Sequence, residues 1–110
     1  MSTKVLYNSK NKSEDIEILV SVDRGNLVIE GHDLSADLPK LFGPDITEYE
    51  WAYTIKKKDF KNLRKNLNSK DSDNILNIFV KRFSGDDALG IGSFLEENNI
   101  PFETWNRMGD

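Results

Sequence analysis

Between Thr47 and Ile55 the side chains alternate so strictly that one backbone geometry accounts for them. Tyr49, Trp51, Tyr53 and Ile55 fall on one side, and Glu48, Glu50, Ala52 and Thr54 on the other. A period of two is that of a β-strand, whose successive side chains point to opposite faces. Three aromatics and an isoleucine on one face require a covering apolar layer. Any fold for this chain must therefore place something over that strand.

The flanking segments show what that layer is made of. Ile16, Ile18, Val20 and Val22 alternate with Glu17, Leu19 and Ser21, which reads as a second strand. Asp23-Arg24-Gly25-Asn26 is turn chemistry, and Leu27 to Glu30 returns as the other arm of a hairpin. A short strand is expected at Val5 to Tyr7, with a polar loop from Ser9 to Ser13. After Ile55 the period changes to that of a helix. Phe60, Leu63 and Leu67 mark one over 58–68. Ile75, Leu76, Phe79, Val80 and Phe83 mark a second, capped by Asp71 or Ser72. Ala88, Ile91, Phe94 and Leu95 mark a third, opened by Asp86 or Asp87 and weakened by Gly90 and Gly92. A shorter helix before Gly43-Pro44, capped by Ser35 or Asp37, would bury Leu38, Leu41 and Phe42. Phe102 to Asn106 is a last short strand of undetermined facing.

Strands first, helices next and one strand last, with no βαβ rhythm, predict an α+β fold in two layers. The sheet is mostly antiparallel, with about three helices packed on one face, and residues 1–110 form a single domain. The other sheet face is then open, carrying Glu17, Glu30, Glu48 and Glu50 among Leu19, Val28 and Ala52.

The charges are zoned. From Glu30 to Glu50 there are six acids (Glu30, Asp33, Asp37, Asp45, Glu48, Glu50) against Lys40 alone; from Lys56 to Lys70 there are seven bases against Asp59. The whole has a formal net charge of −4, so zoning rather than total charge distinguishes it. Crowded carboxylates repel one another, and a basic partner relieves that repulsion and is drawn in faster. The six acids are accordingly the candidate partner-binding residues. The plainer reading is a solvated surface that keeps the protein soluble.

Other chemistries find less support. With no cysteine, disulfides, zinc–thiolate sites and thiol catalysis are excluded. There is no D-x-D-x-D-G loop, and Glu48 and Glu50 stand about 6–7 Å apart along a strand, so no metal or other cofactor is expected. That spacing would suit a glycosidase pair, but no cleft is implied. His32 lies beside Asp33, which on an extended chain points the other way and is a poor orienter for a general base. Gly90-Ile91-Gly92 and Phe42-Gly43-Pro44-Asp45 lack the pattern of a phosphate loop. The lysines of 56–70 offer phosphate contacts but no interleaved exposed aromatics, and a pI near 5.0 argues against direct nucleic-acid binding. Trp51 is expected in the core, and Trp105 is the better interface candidate. No apolar run approaches membrane-spanning length and residues 1–13 hold no apolar signal region, so a cytoplasmic, non-enzymatic protein with no membrane contact is expected.

Two stretches carry a family resemblance. One is Leu27-Val28-Ile29-Glu30-Gly31-His32-Asp33-Leu34, followed by Phe42-Gly43 and Glu48-Tyr49-Glu50-Trp51. The other is Arg82-Phe83-Ser84-Gly85-Asp86 leading to Phe94-Leu95-Glu96-Glu97-Asn98-Asn99-Ile100-Pro101-Phe102. Together they resemble the bacterial immunity proteins of polymorphic-toxin systems, and among these the contact-dependent growth inhibition immunity proteins. The resemblance implies a cytoplasmic binder that blocks a cognate toxin domain, often a nuclease with a basic cleft. A non-enzymatic adaptor module is the alternative, and a small carboxylate-dependent enzyme a more distant one.

Overall fold

The period-two segments pair in chain order. The computed structural model describes residues 3–12, 14–70 and 72–109. Strands β1 (Thr3–Lys10), β2 (Asp15–Asp23), β3 (Asn26–Asp33), β4 (Glu48–Ile55) and β5 (Glu103–Gly109) form one sheet in the order 1-2-3-4-5, every neighbour antiparallel. Helix α1 (Leu38–Phe42) joins β3 to β4. The excursion from β4 to β5 holds α2 (Phe60–Asn66), α3 (Ile75–Phe83) and α4 (Ile91–Glu97), with 3-10 turns at Lys57–Asp59 and Gly85–Gly90. The fold is α+β.

Local chemistry sets the joints. Asp23 pairs with Asn26, and the two residues between them have positive φ, Arg24 at 54° and Gly25 at 83°. This type I′ geometry matches the twist of the flanking strands. Helices α2 and α4 both end on an asparagine in the left-handed region, Asn68 and Asn99, each at φ 54°. In each case the next residue reaches back five positions: Ser69 N donates to the Arg64 carbonyl at 3.0 Å and Ile100 N to that of Leu95 at 2.9 Å. These bonds satisfy carbonyls that a helix end leaves without partners.

The register gathers the core. Ile18 and Val20 of β2, Leu27 and Ile29 of β3 and Ile55 of β4 share one side of the sheet and are fully buried. Phe60, Leu63, Phe79, Phe83, Ile91 and Leu95 meet them from the helices. Phe83 packs against Phe79 and Phe94, with ring centroids 4.7 and 5.1 Å apart. Each such side chain contributes about 1.5–3 kcal/mol on burial. No described polar or charged residue is buried with them.

Several elements depart from the sequence reading. β1 extends to Lys10, taking in Ser9 and Lys10, because Asn11 N bonds the Glu14 carbonyl and Glu14 N the Asn11 side chain, closing the β1–β2 turn later. The first half of the third helix is a 3-10 turn and α4 starts only at Ile91, after Gly90, one of the two glycines expected to weaken it. At Gly92 a Cβ would meet the Tyr53 hydroxyl at 2.9 Å, so glycine there lets α4 approach β4. Helix α3 begins at Ile75 on the cap Asn74, whose side chain accepts from Asn77 N at 3.1 Å; Asp71 lies outside the described residues. Helix α2 is shorter than expected, its first turn being 3-10. In α1 only Leu38 is buried, while Leu41 is 71% and Phe42 48% exposed, so a single helical turn presents one apolar residue to the interior rather than three. The last strand runs to Gly109 rather than Asn106.

Candidate functional site

The helical layer covers one sheet face, and only part of it. Along β4, Ile55 is buried while Tyr53, Trp51 and Tyr49 are half-buried, so the cover over these three is incomplete. The uncovered part forms a cleft of about 470 Å³ whose walls include Tyr49, Trp51, Tyr53, Asp33 and Leu89. The Trp51 ring lies against the backbone of Gly31 and 4.8 Å from the ring of Tyr53. Burial pushes the Tyr53 hydroxyl above its usual pKa, with Tyr49 and Glu96 adding to the effect.

No described helix covers the opposite face. Cross-strand partners place Val5, Leu19, Glu30, Ala52 and Trp105 in one row, and Asn8, Glu17, His32, Glu50 and Arg107 in the next. Trp105 is 53% exposed there. Glu48 lies beyond Glu50 on the same face. Arg107 Nη2 donates to Glu48 Oε1 at 2.5 Å and to Glu50 Oε1 at 3.4 Å. The bond from Arg107, joined by one with Glu48 and by the nearby charges of Arg107 and His32, holds the Glu50 carboxyl below its ordinary range.

The six acids divide accordingly. Glu30 stands exposed in the middle of the open face, and Glu48 and Glu50 are joined there by Arg107. Asp33 points to the helical side, lines the cleft and accepts from Ser35 N at 2.8 Å, stabilising the turn after β3. Asp37 flanks α1 without capping it through its side chain, and Asp45 is exposed in the next loop. The structure thus brings three of the six together and adds Glu17 beside them. The sequence reading missed Arg107. Its period marks the face it occupies, but nothing local says that β5 returns beside β4.

The remaining candidates resolve simply. His32 is exposed between Glu17 and Glu50, with no serine or threonine beside it in register. Among the described residues no three of His, Asp and Glu converge as metal ligands do. Lys58 of the preceding 3-10 turn and Lys61 and Lys65 of α2 border a shallow surface depression. Arg64 turns inward to donate to the Asp73 carbonyl at 3.0 Å. Among the described residues no ion pair joins the six acids to α2; Lys56, just before it, pairs with Glu103 at 3.2 Å. No described helix is long and apolar enough to cross a membrane. Comparison with protein-family models, with curated proteins and with solved structures found no match.

Proposed function

We propose that this protein is an immunity-type binder that neutralises a cognate bacterial toxin domain in the cytoplasm, docking a basic surface of the toxin on its open sheet face. The observation that carries the reading is the composition of that face. Glu17, Glu30, Glu48 and Glu50 stand around Arg107 and His32, interleaved with the apolar Val5, Leu19, Val28, Ala52 and Trp105. Aromatic and aliphatic anchors within a charged surround are what a specific interface uses, and the carboxylates would steer a basic partner to it. A nuclease domain, which must handle phosphates, presents such a basic cleft. No catalytic role is assigned to this chain.

Association with a cognate toxin domain, sought in the reading frame beside that of this chain, tests the proposal. The on-rate should fall about tenfold or more as NaCl rises from roughly 0.05 to 0.5 M. Glu30→Lys with Glu17→Lys should slow association, whereas His32→Ala should leave neutralisation intact. A flat salt response removes the steering, and loss of protection on His32→Ala favours an enzyme. Tight binding without protection favours an adaptor module.

A further inference from the structure

We propose that β5 is a self-association edge, through which two copies of this chain pair antiparallel about Trp105 to join their sheets. The two sheet edges are treated differently. β1 is guarded by an irregularity between Val5 and Tyr7, by the exposed Lys4 and Lys10 and by the Gly85–Gly90 turn packed against it. Bulges, lysines and covering segments are the devices that stop an edge from pairing further. β5 carries neither a bulge nor a lysine: its register with β4 is unbroken from Glu103 to Gly109, and it contains no proline. Residues Glu103 to Met108 are all exposed.

The sequence of β5 selects its own complement. With a two-fold axis at Trp105, Glu103 faces Arg107 of the second copy, and by symmetry Arg107 faces Glu103. Trp105 faces its own equivalent on the open face, and Thr104 faces Asn106 on the other. Opposite residues of paired strands have Cβ atoms about 4.5–5.5 Å apart, within reach of ion pairs and aromatic contacts. Centring on Asn106 instead sets Glu103 against Gly109, and centring on Thr104 sets Arg107 against Pro101. Only the Trp105 register matches every charge on the strand. Arg107 already holds Glu48 and Glu50, and Glu103 pairs through Oε1 with its own Lys56 at 3.2 Å, but a guanidinium has five donors and a carboxylate two oxygens, so Glu103 of the second copy adds a carboxylate to an existing cluster. The result is a continuous ten-stranded sheet whose two acidic faces lie side by side. It requires no toxin, so it stands or falls independently of the proposed function.

Sedimentation equilibrium of the chain alone provides the test. The wild type should rise from 12.6 kDa toward twice that mass with concentration. Glu103→Arg and Arg107→Glu should each stay monomeric where the wild type dimerises, since each sets like charges across the axis. Mixed one to one they should dimerise again, because arginine at 103 then meets glutamate at 107, and Arg107 meets Glu103. Circular dichroism verifies that both remain folded. Trp105→Glu, on an exposed position that the fold does not use, repeats the loss of dimer if either of them unfolds. A wild type monomeric up to ~1 mM, where a complex worth about 4 kcal/mol would be half formed, overturns the proposal. So does folded, mixed material that stays monomeric, or a Trp105→Glu variant that dimerises as well as the wild type.

Discussion

Replacing Gly31 by alanine tests how the aromatic face of β4 is built. An ideal Cβ at position 31 would lie 2.1 Å from Cε2, 2.3 Å from Nε1 and 2.4 Å from Cζ2 of Trp51. Carbon atoms in contact sit about 3.5–4.0 Å apart, so the indole has to lift away from β3. Tyr53 blocks movement along the strand, and the ring must go toward the cleft. Two effects then oppose one another. Gly31 has no positive φ, so alanine gains about 0.4–1 kcal/mol by restricting the unfolded chain. Overpacking costs about 1–3 kcal/mol. The clash wins, and Gly31→Ala should destabilise by about 1–2 kcal/mol, lowering Tm by about 4–8 °C for each kcal/mol. Urea and thermal unfolding followed by circular dichroism measure the loss. Emission in a Trp105→Phe background follows Trp51 alone and should shift to the red as its ring becomes wetter. With Trp51→Ala already in place the obstacle is gone, and alanine at 31 should become stabilising by about 0.4–1 kcal/mol. If Gly31→Ala costs the same with and without the indole, the contact is not what requires glycine, and the reasoning fails.

Three further outcomes follow from the geometry. Asn74→Ala should destabilise by about 1 kcal/mol in urea unfolding through loss of the bond from Asn77 N, and Asn74→Asp should retain most of that stability. Glu50 has a lower pKa folded than unfolded, so its stabilisation is present above the unfolded value and is lost as pH falls through the folded one; the stability gap between wild type and Arg107→Gln should therefore narrow in acid, and NMR titration should show Glu50 moving up in the variant. Tyr53 has a raised pKa, so its neutral form is favoured by folding: stability is unaffected below about pH 10 and declines as pH rises through the folded value, a decline that Tyr53→Phe should lessen in unfolding measured across the alkaline range.

What was legible in the sequence is what periodicity encodes. β2, β3 and β4 repeat every two residues over a buried face, so a one-residue slip would expose all of Ile18, Val20, Leu27 and Ile29. The stripes of α2 and α3 are equally unambiguous. The pattern fails where one turn of backbone can satisfy its bonds in more than one way. Ala88 and Ile91 are three apart, a spacing that suits both α and 3-10 geometry, and only the packed structure shows that Gly85–Gly90 takes the tighter form. It fails also at β5, where Phe102 and Trp105 compete as reference points. Phe102 stops short of the strand and stacks edge-on against Tyr53 at 5.2 Å, leaving Trp105 to the open face.

The same distinction explains what became of the acidic block. A run of charges along a chain is a surface patch only if the backbone presents successive residues to one side, and a strand presents every second one. Asp33 follows His32 directly and so leaves the open face for the cleft, while Glu30, two positions before His32, stays on it. The gap is filled from elsewhere: Glu17 comes from β2, 33 residues before Glu50, because the antiparallel register sets both beside His32. Segregation of charge nevertheless survives folding, since the lysines of α2 project from the helical layer and, among the described residues, make no ion pair with those carboxylates. Internal neutralisation on this face comes from Arg107, which joins Glu48 and Glu50; among the described residues no ion pair involves Glu17 or Glu30. The acidic character of the face therefore rests on these last two, one from the predicted block and one from outside it, and reversing them is the most direct way to alter which partners the face attracts.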